Sequence, residues 1–137
     1  GAYSITEKKT RMVILDTNVI IDHLRQSGAK ETLLLRIAKR TARENLAISA
    51  VSIQELYEGR STREPKKEEY LLRTIAPLRV LPYTYEIAQL AGEVARDLES
   101  PIEFADAAIA ATAIVHGASL ATLNRKDFQQ ITELQLV

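Results

Sequence analysis

Residues 11–24 read RMVILDTNVIIDHL: four apolar residues in a row, Met12 to Leu15, and then at once an acid, Asp16. An apolar run without polar alternation is the mark of a strand covered on both faces, the habit of parallel sheets between helices. Val19, Ile20, Ile21 and Leu24 then recur at helical spacing, so the strand passes directly into a helix that Asp16 or Thr17 can cap. Asp16 therefore stands at the carboxyl end of a buried strand. It has two readings of equal weight: a helix cap, or part of a site, since ligands of open α/β sheets bind just outside the carboxyl ends of the strands.

Outward from this stretch, strand and helix patterns alternate about five times. A helical stripe carries Leu33, Leu34, Ile37 and Ala38 within residues 29–45, and LAIS at 46–49 reads as a strand. AVSIQELYEGR is a helix that Gly59 can close, and residues 64–76 form another, ended by Pro77. RVLP at 79–82 is strand-like, and residues 85–99 form an amphipathic helix broken at Ser100 and Pro101. An alanine-rich helix spans 103–117 and closes at Gly117, SLATL at 119–123 is a strand, and LQLV at 134–137 is a last one. Such alternation predicts a parallel sheet sandwiched between helices, an α/β fold.

The 137 residues suit one domain over 1–137. Residues 1–10 are a polar lead in which Gly1 and Ala2 are compatible with a tag scar, and they are set aside for fold purposes. The absence of cysteine excludes disulfides, thiolate metal sites and a cysteine nucleophile. With no apolar run of membrane-spanning length and no signal-peptide core, the expected location is cytoplasmic, with no membrane partner.

The net charge of zero hides an asymmetry. Residues 1–80 hold 15 Lys and Arg against 10 Asp and Glu, whereas residues 81–137 hold 3 against 8. Lys8, Lys9, Arg11, Arg36, Lys39, Arg40, Arg43, Arg60, Arg63, Lys66 and Lys67 could line a phosphate-binding surface. For any one cluster, a solvated helix face is the better reading at this balanced charge.

Other acids stand where Asp16 stands, beside strand ends. Glu55 lies in the helix after the second strand, although Ser52 to Glu55 also fits a capping box, which would use up the carboxylate on the backbone. Asp106 shares a helical face with Ile109, Ala110 and Ala113, where an unpaired carboxylate would be costly to bury. Asn124 follows its strand as Asp16 follows the first, and Asp127 comes three residues later; turn chemistry explains that pair equally well. Together these positions bring three carboxylates and an amide within reach of one crevice at the switch point of a doubly wound sheet. Hard oxygen donors without His or Cys suit Mg²⁺ or Mn²⁺, and such an ion relieves the repulsion between clustered acids. Its natural chemistry here is phosphodiester hydrolysis.

The residues VILDTNVIIDHL, ISAVSIQELYEG and FADAAIAATAIVHGASLATLNRKDF resemble, in order and spacing from about residue 11 to residue 128, the three motifs of the PIN-domain ribonucleases, and within them the VapC-type toxins of prokaryotic toxin–antitoxin pairs. The resemblance implies a three-layer α/β/α domain with strand order 3-2-1-4-5, and an acidic triad of Asp16, Glu55 and Asp106 holding the metal. It also implies an RNA substrate, a homodimer, and a cognate antitoxin over the acidic pocket. Asn124 joins the triad as a catalytic candidate, with Asp127, Thr122 and Asn18 as supporting candidates. Many members carry a fourth acid where Asn124 stands, so one negative charge is missing.

Rival readings differ in what they need. A haloacid-dehalogenase-type phosphatase requires a second acid two residues after the first, and Asn18 is there instead; a receiver domain requires a late strand ending in Lys, whereas this one ends in TLN. A stand-alone RNA-processing nuclease and a non-catalytic PIN-like module that binds RNA or protein stay open, the latter opposed by the retained acids.

Overall fold

The computed structural model describes residues 11–26, 28 and 30–137. The polar lead, with Lys8 and Lys9, lies outside the described residues. Five parallel strands stand in the order β3-β2-β1-β4-β5: β1 is Val13–Leu15, β2 Leu46–Ser49, β3 Arg79–Leu81, β4 Ser119–Ala121 and β5 Gln135–Leu136. The helices between them are α1 Thr17–Arg25, α2 Leu33–Arg40, α3 Ala50–Glu58, α4 Pro65–Ile75, α5 Tyr85–Asp97, α6 Phe104–Val115 and the short α7 Arg125–Phe128. The strand order is the one the family resemblance implies.

Alternation along each strand splits the core into two halves. Ile14, Ala47 and Leu120 point to one face and pack with Ile109, Ala110 and Ala113 of α6, and with Phe128. Their neighbours Leu15, Leu46, Ile48 and Ala121 point to the other, against Val19 and Ile20 of α1, Leu34 and Ile37 of α2, Leu56 of α3 and Leu71 of α4. The strands read as continuous apolar runs because both faces are covered. Each fully buried Leu or Ile contributes about 1.5–3 kcal/mol relative to exposure. The small side chains of α6 let α5 approach closely, with Ile87 and Ala91 against Ala107 and Ala111. Thr112, the polar residue of that buried stretch, satisfies its hydroxyl on the Ala108 carbonyl at 2.7 Å.

One helix is much shorter than expected, and two others close at the glycines expected to end them. The helix expected over 29–45 is confined to Leu33–Arg40, because the Thr32 hydroxyl caps it and a 3₁₀ turn at Arg43–Asn45 leads into β2. Gly117 ends α6 in the left-handed region, φ +63°, and the Ala118 N–H reaches back to the Ala113 carbonyl at 2.8 Å. Gly59 ends α3 differently, at φ −70°, so it is not there for a left-handed cap.

β1 is central, and the chain leaves it toward β2 on one side and joins it from β4 on the other. The switch point therefore lies at the carboxyl ends of β1, β2 and β4, where Asp16, the start of α3 and Thr122 meet.

Candidate active site

Asp16 carries both of its readings at once. It is the N-cap of α1, with extended backbone, and its Oδ1 accepts the Thr17 N–H at 2.7 Å. Its Oδ2 accepts the Thr122 hydroxyl, also at 2.7 Å, across the switch point. The side chain is buried, 4% exposed. Burial pushes its pKa above the ordinary carboxylate value against the pull of those two hydrogen bonds, and the charges of Glu55 and Asp127 push it further. Thr122 is held in turn by the Asn124 N–H at 3.0 Å, and Asn18 accepts the Leu123 N–H at 3.2 Å. Asn18 and Thr122 thus brace the loop after β4 against the start of α1.

The capping box at Ser52 is not formed. Ser49, the last residue of β2, caps α3 by accepting the Val51 N–H at 3.0 Å, which places Ser52 inside the first turn, wholly buried. Glu55 is thereby free of the backbone, and its Oε1 accepts the Thr17 hydroxyl at 2.6 Å. Thr17 Oγ1 also lies 2.8 Å from Ser52 Oγ. A hydroxyl has one proton to donate; with Thr17 donating to Glu55, Ser52 donates to Thr17. This chain of two buried hydroxyls aims Glu55, and Thr17 links it to Asp16. Neither hydroxyl was legible as a site residue, because the contact joins positions 35 residues apart.

Asp106 stands in the first turn of α6, half-buried, in a groove of about 670 Å³ shared with Glu103, Lys126 and Asp127. It has no hydrogen-bond donor among the described residues, unlike Asp16 and Glu55. Burial first, and then the charges of Asp16, Glu103, Asp127 and Glu55, push its pKa up to about 6. Glu103, three residues before it, is a further acid of this field that sequence reasoning missed; its signal was the i, i+3 pair of carboxylates at a helix start. Asn124 donates its amide to the Asp127 carboxylate, and the Asp127 N–H bonds the Asn124 carbonyl at 3.2 Å. Asp127 is therefore tied to Asn124 while still bearing on Asp16 and Asp106 electrostatically.

Among the described residues, no three His, Cys, Asp or Glu side chains are arranged to hold a metal ion outright. The charges of Asp16 and Glu55 nevertheless bear on each other and on Asp106. The donor chemistry fits a hard divalent cation: every candidate donor atom is oxygen, the acids repel one another, and Asp106 has no hydrogen-bond donor among the described residues. Asp16, Glu55 and Asp106 are the residues that could hold it.

Residues 13–134 match the PIN domain. Ribonuclease VapC10 of Mycobacterium tuberculosis is 37% identical over 127 residues, covering 90% of this chain and 91% of that protein. Ribonuclease VapC19 of the same organism is 33% identical, covering 90% and 98%. The VapBC-1 structure from nontypeable Haemophilus influenzae superposes with a TM-score of 0.77 at 26% identity, over 92% of this chain and 96% of that one. The three motifs, the strand order and these likenesses agree, and the chain belongs to the PIN-domain family.

Proposed function

We propose that the protein is a divalent-metal-dependent endoribonuclease, a single PIN-like domain acting as the toxin of a toxin–antitoxin pair. The observation that carries this reading is that Thr17 bonds both Asp16 and Glu55 at the switch point, while the charges of both acids bear on Asp106, which has no hydrogen-bond donor among the described residues. The names of the related ribonucleases support it. Asp16, Glu55 and Asp106 would hold the ion, Mg²⁺ or Mn²⁺. When bound, the ion supplies an activated water and offsets charge developing on the phosphate.

The chain's own residues prepare this. Thr122 and the Thr17 N–H fix the Asp16 carboxylate, the Ser52–Thr17 pair fixes Glu55, and Asn124 holds Asp127 and orients water or substrate. A cognate antitoxin and a second copy of this chain are the partners the reading carries. No helix among the described residues is long and apolar enough to cross a membrane, and the cytoplasm is the proposed place of action.

The test is cleavage of single-stranded and structured RNA by the purified protein with Mg²⁺ or Mn²⁺. Cleavage that chelation abolishes is expected; no cleavage of any RNA with either ion, by protein freed of bound partners, overturns the reading.

A further inference from the structure

A second groove, of about 490 Å³, lies between α1, α3 and α4, and Glu55 is one of its lining residues. Its floor is apolar, from Ile21, Leu24, Leu56 and Leu71, and its rim carries Arg25, Arg60 and Lys67, with Glu55 as the one acid among the described lining residues. The three cations come from different segments and are all exposed. Lys67 meets Glu64 at 3.0 Å in a solvent-exposed pair that holds it only weakly. Arg25 and Arg60 form no ion pair among the described residues. Tyr70 completes the rim, 38% exposed, with the Arg73 guanidinium 5.9 Å from its ring centre.

The groove on the other side of the site has the opposite character, lined by Glu103, Asp106 and Asp127 with Lys126. The charge asymmetry of the sequence is thus laid out in space: the basic half forms one approach to the carboxylates, the acidic half the other. A polyanion is repelled along the second and drawn along the first.

We propose that the Arg25–Arg60–Lys67 groove holds the single-stranded RNA on one side of the cleaved bond, with the cations on its phosphates and a base against the Tyr70 ring. This rests on the ribonuclease reading. Charge complementarity favours RNA over a polypeptide, and continuity through Glu55 places a strand held here beside the carboxylates. Cations with an exposed aromatic ring are what single-strand binding uses, and neither requires a particular base sequence.

The experiment measures binding of a short fluorescein-labelled single-stranded RNA of mixed sequence by anisotropy, across salt concentrations with Mn²⁺ present, in an Asp16→Asn background that does not cleave. Replacing Arg25, Arg60 and Lys67 together with Ala should weaken binding and reduce the slope of log affinity against log salt by about 2, since each phosphate contact contributes about 0.7 for a single strand. Tyr70→Ala should weaken binding about 10-fold with the slope unchanged, and Tyr70→Phe should restore it. Unchanged affinity and slope in the triple variant overturn the proposal, and that is also the result expected if the groove takes a polypeptide. RNA cleavage by the wild-type protein is scored separately: cleavage with unaltered binding in the variants defeats the groove alone, whereas neither cleavage nor binding defeats both readings.

Discussion

The Thr17 hydroxyl lies 2.6 Å from Glu55 Oε1, while the Thr17 N–H lies 2.7 Å from Asp16 Oδ1. One residue thereby sets two carboxylates that the chain delivers from different strands. It does so from the first position of α1, where the N–H has no partner within the helix and is free for Asp16.

Thr17→Val should release Glu55 and leave the buried Ser52 hydroxyl without its partner. Expected are a loss of about 10–100-fold in cleavage rate or metal affinity, as for other residues that orient ligands, and destabilisation of about 1–3 kcal/mol. Thr17→Ser, which keeps the hydroxyl, should recover most of both. Cleavage rates, Mn²⁺ calorimetry and urea melts on the two variants check this; full activity in Thr17→Val would show that Glu55 needs no such aim.

Asp16→Asn should abolish cleavage with the fold intact. The amide oxygen can still accept the Thr17 N–H, so the cap of α1 survives, but the charge that draws a hard cation is gone. Circular dichroism should be unchanged and Mn²⁺ affinity sharply lower. Undiminished cleavage would remove Asp16 from the mechanism.

Asp106 gives a pH dependence of known sign. Its pKa is raised from 3.8 to about 6, so between those values the folded state binds more protons than the unfolded one. Stability of the metal-free protein therefore falls as pH rises through that window, and the loss is complete above it. Asp106→Asn should remove the loss and raise Tm at pH 7 in chelator, while abolishing cleavage. Melting curves of both proteins from pH 4 to 8 are the measurement. A gap that does not widen between about pH 4 and 6 would contradict the placement of Asp106 in this acidic field.

Asn124→Asp should tighten Mn²⁺ binding by restoring a fourth negative charge. The structure adds a cost: the Asn124 amide now donates to Asp127, and a carboxylate in its place turns that bond into a repulsion. The metal-free variant should melt earlier than wild type and recover when Mn²⁺ is added. Asn124→Ala should slow cleavage more than it lowers Tm. Unchanged Mn²⁺ affinity in the first together with full activity in the second would place Asn124 outside the site.

Local pattern was enough for the elements and for the address of each acid. A run such as Met12–Leu15 reads as a two-faced strand wherever it sits, and a residue that follows a buried strand is at a sheet's carboxyl edge whatever the strand order. The order itself came from resemblance to a family, since spacing along the chain does not say which strands pair. Tertiary structure alone decided which side chains serve the acids. Ser52 and Glu55 satisfied the capping-box spacing, yet Ser49 took the cap because β2 ends there, and that freed Glu55 for Thr17. Asn124 and Asp127 fitted a turn and a site equally well, and the structure makes them partners of each other within the field of Asp106. Arg60 and Lys67 read as separate solvated charges, and Arg25 was not singled out at all, until α1, the turn after α3 and α4 came together around one groove. Hydrogen bonds and screened charges act over a few ångströms of space, and sequence distance carries no information about that separation once the chain has folded.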